Sequence, residues 1–233
     1  MPPIPLRLFV SCLALCPGLA LAQDAEGAGP SWTIEGTIGT VSDYRFRGLS
    51  LSGGDPAVQG GLTASHASGF YGDAWVSSIE EYGLDADGDG AKIELTLTAG
   101  WASSAAGFDF DVAVSTYQYP DGSDVNAFEI PVQASRSIGP ATWTVGAAWA
   151  PEQSALDDED NRYVWAGLDY APEAWPISLS ASVGHEDGAW APGGKTDWRA
   201  GAFLPVGPVT AGAEWIDTDV DDGELVLSLF AAF

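Results

Sequence analysis

The stretch Glu224-Leu-Val-Leu-Ser-Leu-Phe-Ala-Ala-Phe233 decides how the rest of this 233-residue chain is read. Counting back from the end, Phe233, Ala231, Leu229, Leu227 and Leu225 are all apolar, whereas Ala232, Phe230, Ser228, Val226 and Glu224 are mixed. Side chains on a strand alternate between faces, so the segment is a strand with one apolar face and one mixed face. The same period recurs upstream. Ile93, Leu95, Leu97, Ala99 and Trp101 alternate with Lys92, Glu94, Thr96 and Thr98, and Phe108, Phe110, Val112 and Val114 alternate with Asp109, Asp111, Ala113 and Ser115. Trp143, Val145, Ala147 and Trp149 alternate with Thr142, Thr144, Gly146 and Ala148.

Runs of about ten residues, the length a tilted membrane strand needs, begin at Trp32. Strands are predicted at 32–46, 57–65, 70–79, 91–101, 108–117, 126–135, 141–150, 162–170, 177–185, 196–204, 209–217 and 224–233. Their connections alternate in kind. Those at 48–56, 80–90, 118–124, 151–161, 186–195 and 218–223 are long and acidic. Those at 66–69, 102–107, 136–140, 171–176 and 205–208 are short and carry Glu173 as their one acid. Long loops at one end and tight turns at the other describe an antiparallel meander closed into a transmembrane β-barrel of about twelve strands. A strand ending on a terminal Phe resembles the close of a bacterial outer-membrane barrel, where it implies recognition by the barrel assembly machinery. Twelve strands spaced at about 4.8 Å and tilted by about 40° give a backbone diameter of about 24 Å. Such a lumen admits water, ions and small solutes unless long side chains or an infolded loop close it.

The N-terminus reads as an export signal. Arg7 precedes the apolar run Leu8-Phe-Val-Ser-Cys-Leu-Ala-Leu15, Pro17-Gly18 break it, and Ala20-Leu21-Ala22 offers a small-x-small cleavage site. The expected organisation is a signal peptide at 1–22, a short periplasmic extension at 23–31 and a barrel at 32–233. Cys12 and Cys16, the two cysteines, lie in the signal, so the mature chain is expected to lack a disulfide framework. The chain carries eight Lys and Arg against 33 Asp and Glu, a formal net charge of −25. That balance excludes nucleic acid as a partner, since phosphate contact needs a basic surface. Ten Trp, seven of them (Trp32, Trp101, Trp143, Trp149, Trp175, Trp198 and Trp215) near predicted strand ends, suit an interfacial belt.

The segments Val41-Ser-Asp-Tyr-Arg-Phe-Arg-Gly-Leu-Ser50, Gly54-Asp-Pro-Ala-Val-Gln-Gly-Gly61 and Ser68-Gly-Phe-Tyr71 are distinctive, as are Ala99-Gly-Trp101 and Tyr117-Gln-Tyr-Pro120. With the closing strand, they resemble the TorF family of porin-like proteobacterial outer-membrane barrels. The resemblance runs from about Gly36 to Phe233 and implies location in the outer membrane of a Gram-negative bacterium more firmly than it implies a solute. Lipid and lipopolysaccharide are then the surrounding partners.

In the first predicted strand, Glu35, Thr37, Gly39, Val41, Asp43, Arg45 and Arg47 share one parity, and Trp32, Ile34, Ile38, Tyr44 and Phe46 the other. A charge facing lipid at mid-bilayer costs about 2–4 kcal/mol, so the first set is expected inside and Tyr44 and Phe46 outside, in the belt. The candidate lumen or constriction residues are Glu35, Asp43, Arg45, Arg47, Glu94, Asp109, Asp111 and Glu129. Arg45 and Arg47 suit an anionic solute, or they pair with interior acids and brace the wall. Asp85-Ala-Asp-Gly-Asp-Gly90 matches the front of an EF-hand loop, but position twelve is Thr96 and strands flank it. No specific metal site or cofactor is expected; loosely held Ca²⁺ or Mg²⁺ at Asp85, Asp87, Asp89, Asp157, Asp158 and Asp160 is the weaker candidate. His66 and His185 fall at opposite predicted ends with no nucleophile motif beside them, so catalysis is not expected. The leading expectation is a passive channel for ions or small hydrophilic solutes. The alternative is a closed structural or surface-interaction barrel whose acidic loops bind divalent cations or a partner.

Overall fold

The structure, a computed structural model, describes residues 31–84 and 86–233; the expected signal peptide and nearly all of the extension lie outside them. The strands in chain order are β1 (Trp32–Val41), β2 (Arg45–Phe46), β3 (Leu49–Ser50), β4 (Ala57–His66), β5 (Phe70–Tyr82), β6 (Ala91–Ala105) and β7 (Phe108–Gln118). They continue with β8 (Ala127–Ile138), β9 (Ala141–Gln153), β10 (Glu159–Tyr170), β11 (Ser178–Gly188), β12 (Ala191–Val206), β13 (Val209–Thr218) and β14 (Glu224–Ala232). All but β2 and β3 form one closed barrel of twelve strands, each antiparallel to its neighbours in sequence, with β14 returning to pair with β1. The meander expected from the alternation is therefore the observed fold.

Closure happens at the C-terminal strand, β14. Thr37 pairs with Ala232 and Val41 with Ser228. The Gly36 and Phe233 backbones exchange N–H···O bonds of 2.8 and 2.9 Å. Leu225, Leu227, Leu229 and Phe233 are exposed, whereas Val226 and Ser228 are buried. The seam is packed as well as bonded: a Cβ on Gly39 would lie 2.3 Å from the Phe230 ring and 2.5 Å from the Leu229 carbonyl oxygen.

The same parity holds around the wall. Ile93, Leu97, Trp101, Phe108, Phe110, Val112 and Val114 are exposed, while Glu94, Thr96, Thr98 and Ser115 are buried. The seven Trp assigned to a belt are all exposed. The barrel is thus apolar outside and polar inside, the inverse of a water-soluble globule.

Two expectations change. The first strand does not run to Phe46. It ends at Val41, the chain turns inward, and 42–52 folds into the barrel with β2 and β3 as a separate two-stranded ribbon, before the exposed 53–56 leads back to β4. The predicted loop at 186–195 is mostly wall. Glu186 pairs directly with Lys195 across β11 and β12, which leaves 189–190 as the connection. An opposite-charge pair facing the interior lets both strands extend where the acidic start at Glu186-Asp187 suggests a loop.

Replacement of Gly39 by Val should loosen the seam by about 1–3 kcal/mol, because the side chain has no room between Phe230 and the β14 backbone. The folded barrel should lose its distinct mobility on unheated gels at a lower temperature than the unaltered protein. An unchanged transition temperature would contradict the packing described here.

Candidate functional site

The infolded hairpin is built by its own sequence. Phe46 pairs with Leu49 across a two-residue turn, Arg47-Gly48, in which both residues have positive φ, +47° and +87°. A two-residue turn of this hand matches strand twist, and glycine at its second position adopts the conformation freely. Glycine is also needed for space, since a Cβ there would sit 2.3 Å from Thr218 Cγ2. Arg47 in the left-handed region is strained, so the surroundings must hold it there.

Asp43 organises the hairpin from within. Its carboxylate accepts hydrogen bonds from Arg45 Nε at 2.6 Å, Ser50 Oγ at 2.6 Å and Ser52 Oγ at 3.0 Å. Arg45 also donates to the backbone oxygens of Gly48 and Asp222, which ties the ribbon to the β13–β14 connection. Tyr44 is 2 % exposed and packs with Val41, Ala57, Ile216 and Val226. Its hydroxyl donates to Glu94 at 2.8 Å, and Tyr119 donates to the other oxygen of that carboxylate at 2.8 Å. Phe46 sits edge-on to Tyr117 at 5.7 Å. Tyr44 and Phe46 are thus inside the barrel and not in the outer belt, because the alternation that placed them outside stops where the chain leaves the wall.

Arg47 reaches the opposite wall. Its side chain is 0 % exposed and forms ion pairs of 2.7 Å with Glu129 on β8 and 2.6 Å with Glu186 on β11. One terminal nitrogen contacts both Glu129 oxygens, at 2.9 and 2.7 Å. The guanidinium lies 4.3 Å from the Tyr163 ring centroid, 4.7 Å from that of Phe46 and 5.7 Å from that of Trp190. Burial alone disfavours its charge, but Glu129, Glu186 and Tyr117 outweigh that and raise its pKa above the usual arginine value. Lys195 pairs with Glu186 at 2.9 Å and donates to the Arg47 carbonyl at 2.8 Å. Tyr117 donates to Glu129 at 2.7 Å, and Asn161 to Glu186 at 3.0 Å. Two buried cations meet two buried carboxylates, so the cluster is neutral.

The eight candidate residues therefore separate. Asp43, Arg45, Arg47, Glu94 and Glu129 gather around the hairpin. Asp109 and Asp111 lie toward the opposite end, where Asp109 accepts from Ser104 and Asp111 from Tyr71 at 3.1 Å. Glu35 is exposed, on the part of β1 beyond Gly36. Of the loop acids, Asp85 lies outside the described residues. Asp87 and Asp89 stay in the 83–90 connection. Asp157 and Asp158 occupy a tight turn with φ of 52° and 60°, and Asp160 is on β10, paired with Arg162 at 2.6 Å. Among the described residues, no group of three or more His, Cys, Asp or Glu is placed to hold a metal ion.

Glu186, Lys195, Tyr163, Asn161 and Trp190 are not among the site residues expected from sequence, and Tyr117 enters there only within the distinctive Tyr117-Gln-Tyr-Pro120 segment. A signal for two of them was present. In a chain with only eight Lys and Arg, the lysine at 195 continues the inward parity of Asp197 and Arg199, and Glu186 continues that of Ser182 and Gly184.

Replacing Glu186 by Ala strips a partner from both Arg47 and Lys195, and should cost about 3–5 kcal/mol, the usual penalty for breaking a buried ion pair. Replacing Tyr44 by Phe leaves Glu94 its bonds to Tyr119 and Thr96 and should cost nearer 1 kcal/mol. Denaturant titration of the refolded barrel in detergent ranks the two, and the reverse order would contradict the network as described.

Comparison with solved structures places this architecture among known barrels. The chain superposes on the KdgM porin, solved in complex with disordered oligogalacturonate, with a TM-score of 0.57 at 9% identity, over 86% of this chain and 98% of that one. For the NanC porin the TM-score is 0.53 at 8% identity, over 86% and 98%. At such identities the likeness is one of fold. No curated protein matches the sequence. Residues 24–228 match the family model described as "Bacterial protein of unknown function (Gcw_chp)", and with most of its length inside that match the chain belongs to the Gcw_chp family.

Proposed function

We propose that this protein is a porin-like channel in the outer membrane of a Gram-negative bacterium, passing ions or small hydrophilic solutes by diffusion, with the infolded hairpin as its constriction. One observation carries the reading: a closed twelve-strand barrel whose outside is apolar and whose inside is polar and charged. Lipid outside and water inside are the surroundings that such a wall satisfies. The resemblance to the TorF family and the fold shared with the KdgM and NanC porins support it. The strand ending in Phe233 is then the handle for the assembly machinery. The acidic connections face lipopolysaccharide, with Ca²⁺ or Mg²⁺ between the two sets of anions. No catalytic role is proposed.

Charge sets the expected selectivity. Within the cluster Arg47 and Lys195 balance Glu129 and Glu186. Around it the buried carboxyls of Glu94 and Asp197 and the inward parity of Asp73, Asp109, Asp111 and Glu214 stand against Arg199, and the surface as a whole is strongly acidic. An excess of carboxylates enriches cations at the mouths and in the lumen. A second reading, a closed structural or surface-interaction barrel, is favoured by the complete burial of the Arg47 side chain.

Planar-bilayer recording separates the two. The channel reading expects steady conductance with a cation-to-anion permeability ratio above one. That ratio should fall toward one as salt approaches about 1 M, where the screening length shrinks to about 3 Å. Folded protein that never conducts would favour the closed barrel, and anion selectivity would remove the charge argument.

A further inference from the structure

We propose that the wall pocket around the Arg47 guanidinium is a binding site for small solutes that themselves carry a guanidinium group, and that Arg47 is its tethered occupant. The proposal rests on the channel reading above. The pocket belongs to the barrel and not to the hairpin. Glu129 comes from β8, Glu186 from β11, Tyr117 from β7, Tyr163 from β10 and Trp190 from the β11–β12 connection. Of the groups around the cation, only Phe46 travels with the hairpin.

The chemistry suits a planar, delocalised cation. One terminal nitrogen spans both oxygens of Glu129 and the other meets Glu186 at 2.6 Å, while Tyr163 stands 4.3 Å away. Carboxylates that receive the fork and an aromatic ring close to the cation match a guanidinium better than a compact ammonium, which has no flat face to present. The carboxylates are also positioned without help from the hairpin. Tyr117 fixes Glu129, and Asn161 and Lys195 fix Glu186.

Charge makes an occupant necessary. In direct contact the wall supplies Glu129, Glu186 and Lys195, a net of one negative charge that Arg47 neutralises, and Asp197, bonded to Tyr163, adds a further buried carboxylate. Leaving that charge buried and unpaired is costly, so withdrawal of the tip is favoured only if another cation takes its place. Beyond these ion pairs the tip is held by side-chain contacts, Lys195 donating to the Arg47 carbonyl, Arg45 to the Asp222 carbonyl, and Tyr44 and Phe46 packing on the wall. The ribbon shares no ladder with the wall. Backbone bonds tie its root at Ser42 to Leu227 and at Leu51 to Glu80, and Arg47 itself has a positive φ. A free guanidinium exchanges like for like and releases that conformation, leaving the Lys195, Arg45 and Tyr44 contacts as what the tip gives up when it withdraws. A ligand that binds only the hairpin-out state shifts the population toward it by mass action.

The test uses methylguanidinium at millimolar concentration on the full barrel and on Arg47→Ala. In the variant, methylguanidinium should raise the thermal transition seen on gels and reduce the bilayer current saturably, whereas tetramethylammonium or Na⁺ at equal ionic strength should do neither. In the unaltered protein it should increase the current. Arg47→Lys, which keeps the charge but not the fork, should respond at about tenfold lower concentration than the unaltered protein and serves if Arg47→Ala does not fold. A folded variant whose stability ignores methylguanidinium, or responds equally to tetramethylammonium, overturns the site. A specific thermal shift without any conductance from any of these proteins keeps the site and removes the channel reading instead.

Discussion

Everything in this barrel follows from one constraint: a backbone surrounded by lipid must find all of its hydrogen-bond partners within itself. A sheet achieves that only by meeting its own edge, which here means β14 against β1 and the final residue bonded to Gly36. Closure fixes the alternation, and alternation sends half of every strand inward. In a barrel of this circumference the interior then collects carboxylates, tyrosines and four basic residues, Arg45, Arg47, Lys195 and Arg199. Those charges have to be neutralised at close quarters, and the hairpin brings the missing cation. Arg47 is therefore a consequence of the wall's geometry as much as an ornament of the first loop.

The wall was legible because its signal has period two and repeats along the chain. Phe233, Leu229 and Leu225 share a face whatever surrounds them, and the alternation of long and short connections set the strand order. The hairpin was legible only in part. Its residues were distinctive, and the inward direction of Arg45 and Arg47 followed from the expense of a charge in lipid. The same parity rule then sent Tyr44 and Phe46 to the outer belt. Period two holds only while the chain remains in the sheet, and nothing in Ser42-Asp43 announces the departure as a proline would. The departure is decided by tertiary partners, chiefly Glu94, Glu129 and Glu186, which are 50, 82 and 139 residues away.

Glu186 and Lys195 show the opposite limit. Read locally, Asp187, Pro192 and the three glycines between them describe a loop. Read across the sheet, they are a directly opposed pair on the inward face that lengthens two strands. Composition could not separate these cases, because the polar inside of a barrel and a solvated loop use the same residues.

The wide sequence separation between the hairpin and its partners bears on how the molecule comes together. Arg47 is made early, yet Glu186 and Lys195 are 139 and 148 residues further on. Contacts so distant form late, after the intervening chain has been ordered. The ribbon contributes nothing to the twelve-strand ladder. The loop made first thus has partners made among the last, and it cannot take its final seat before the chain has been synthesised as far as Lys195 on β12.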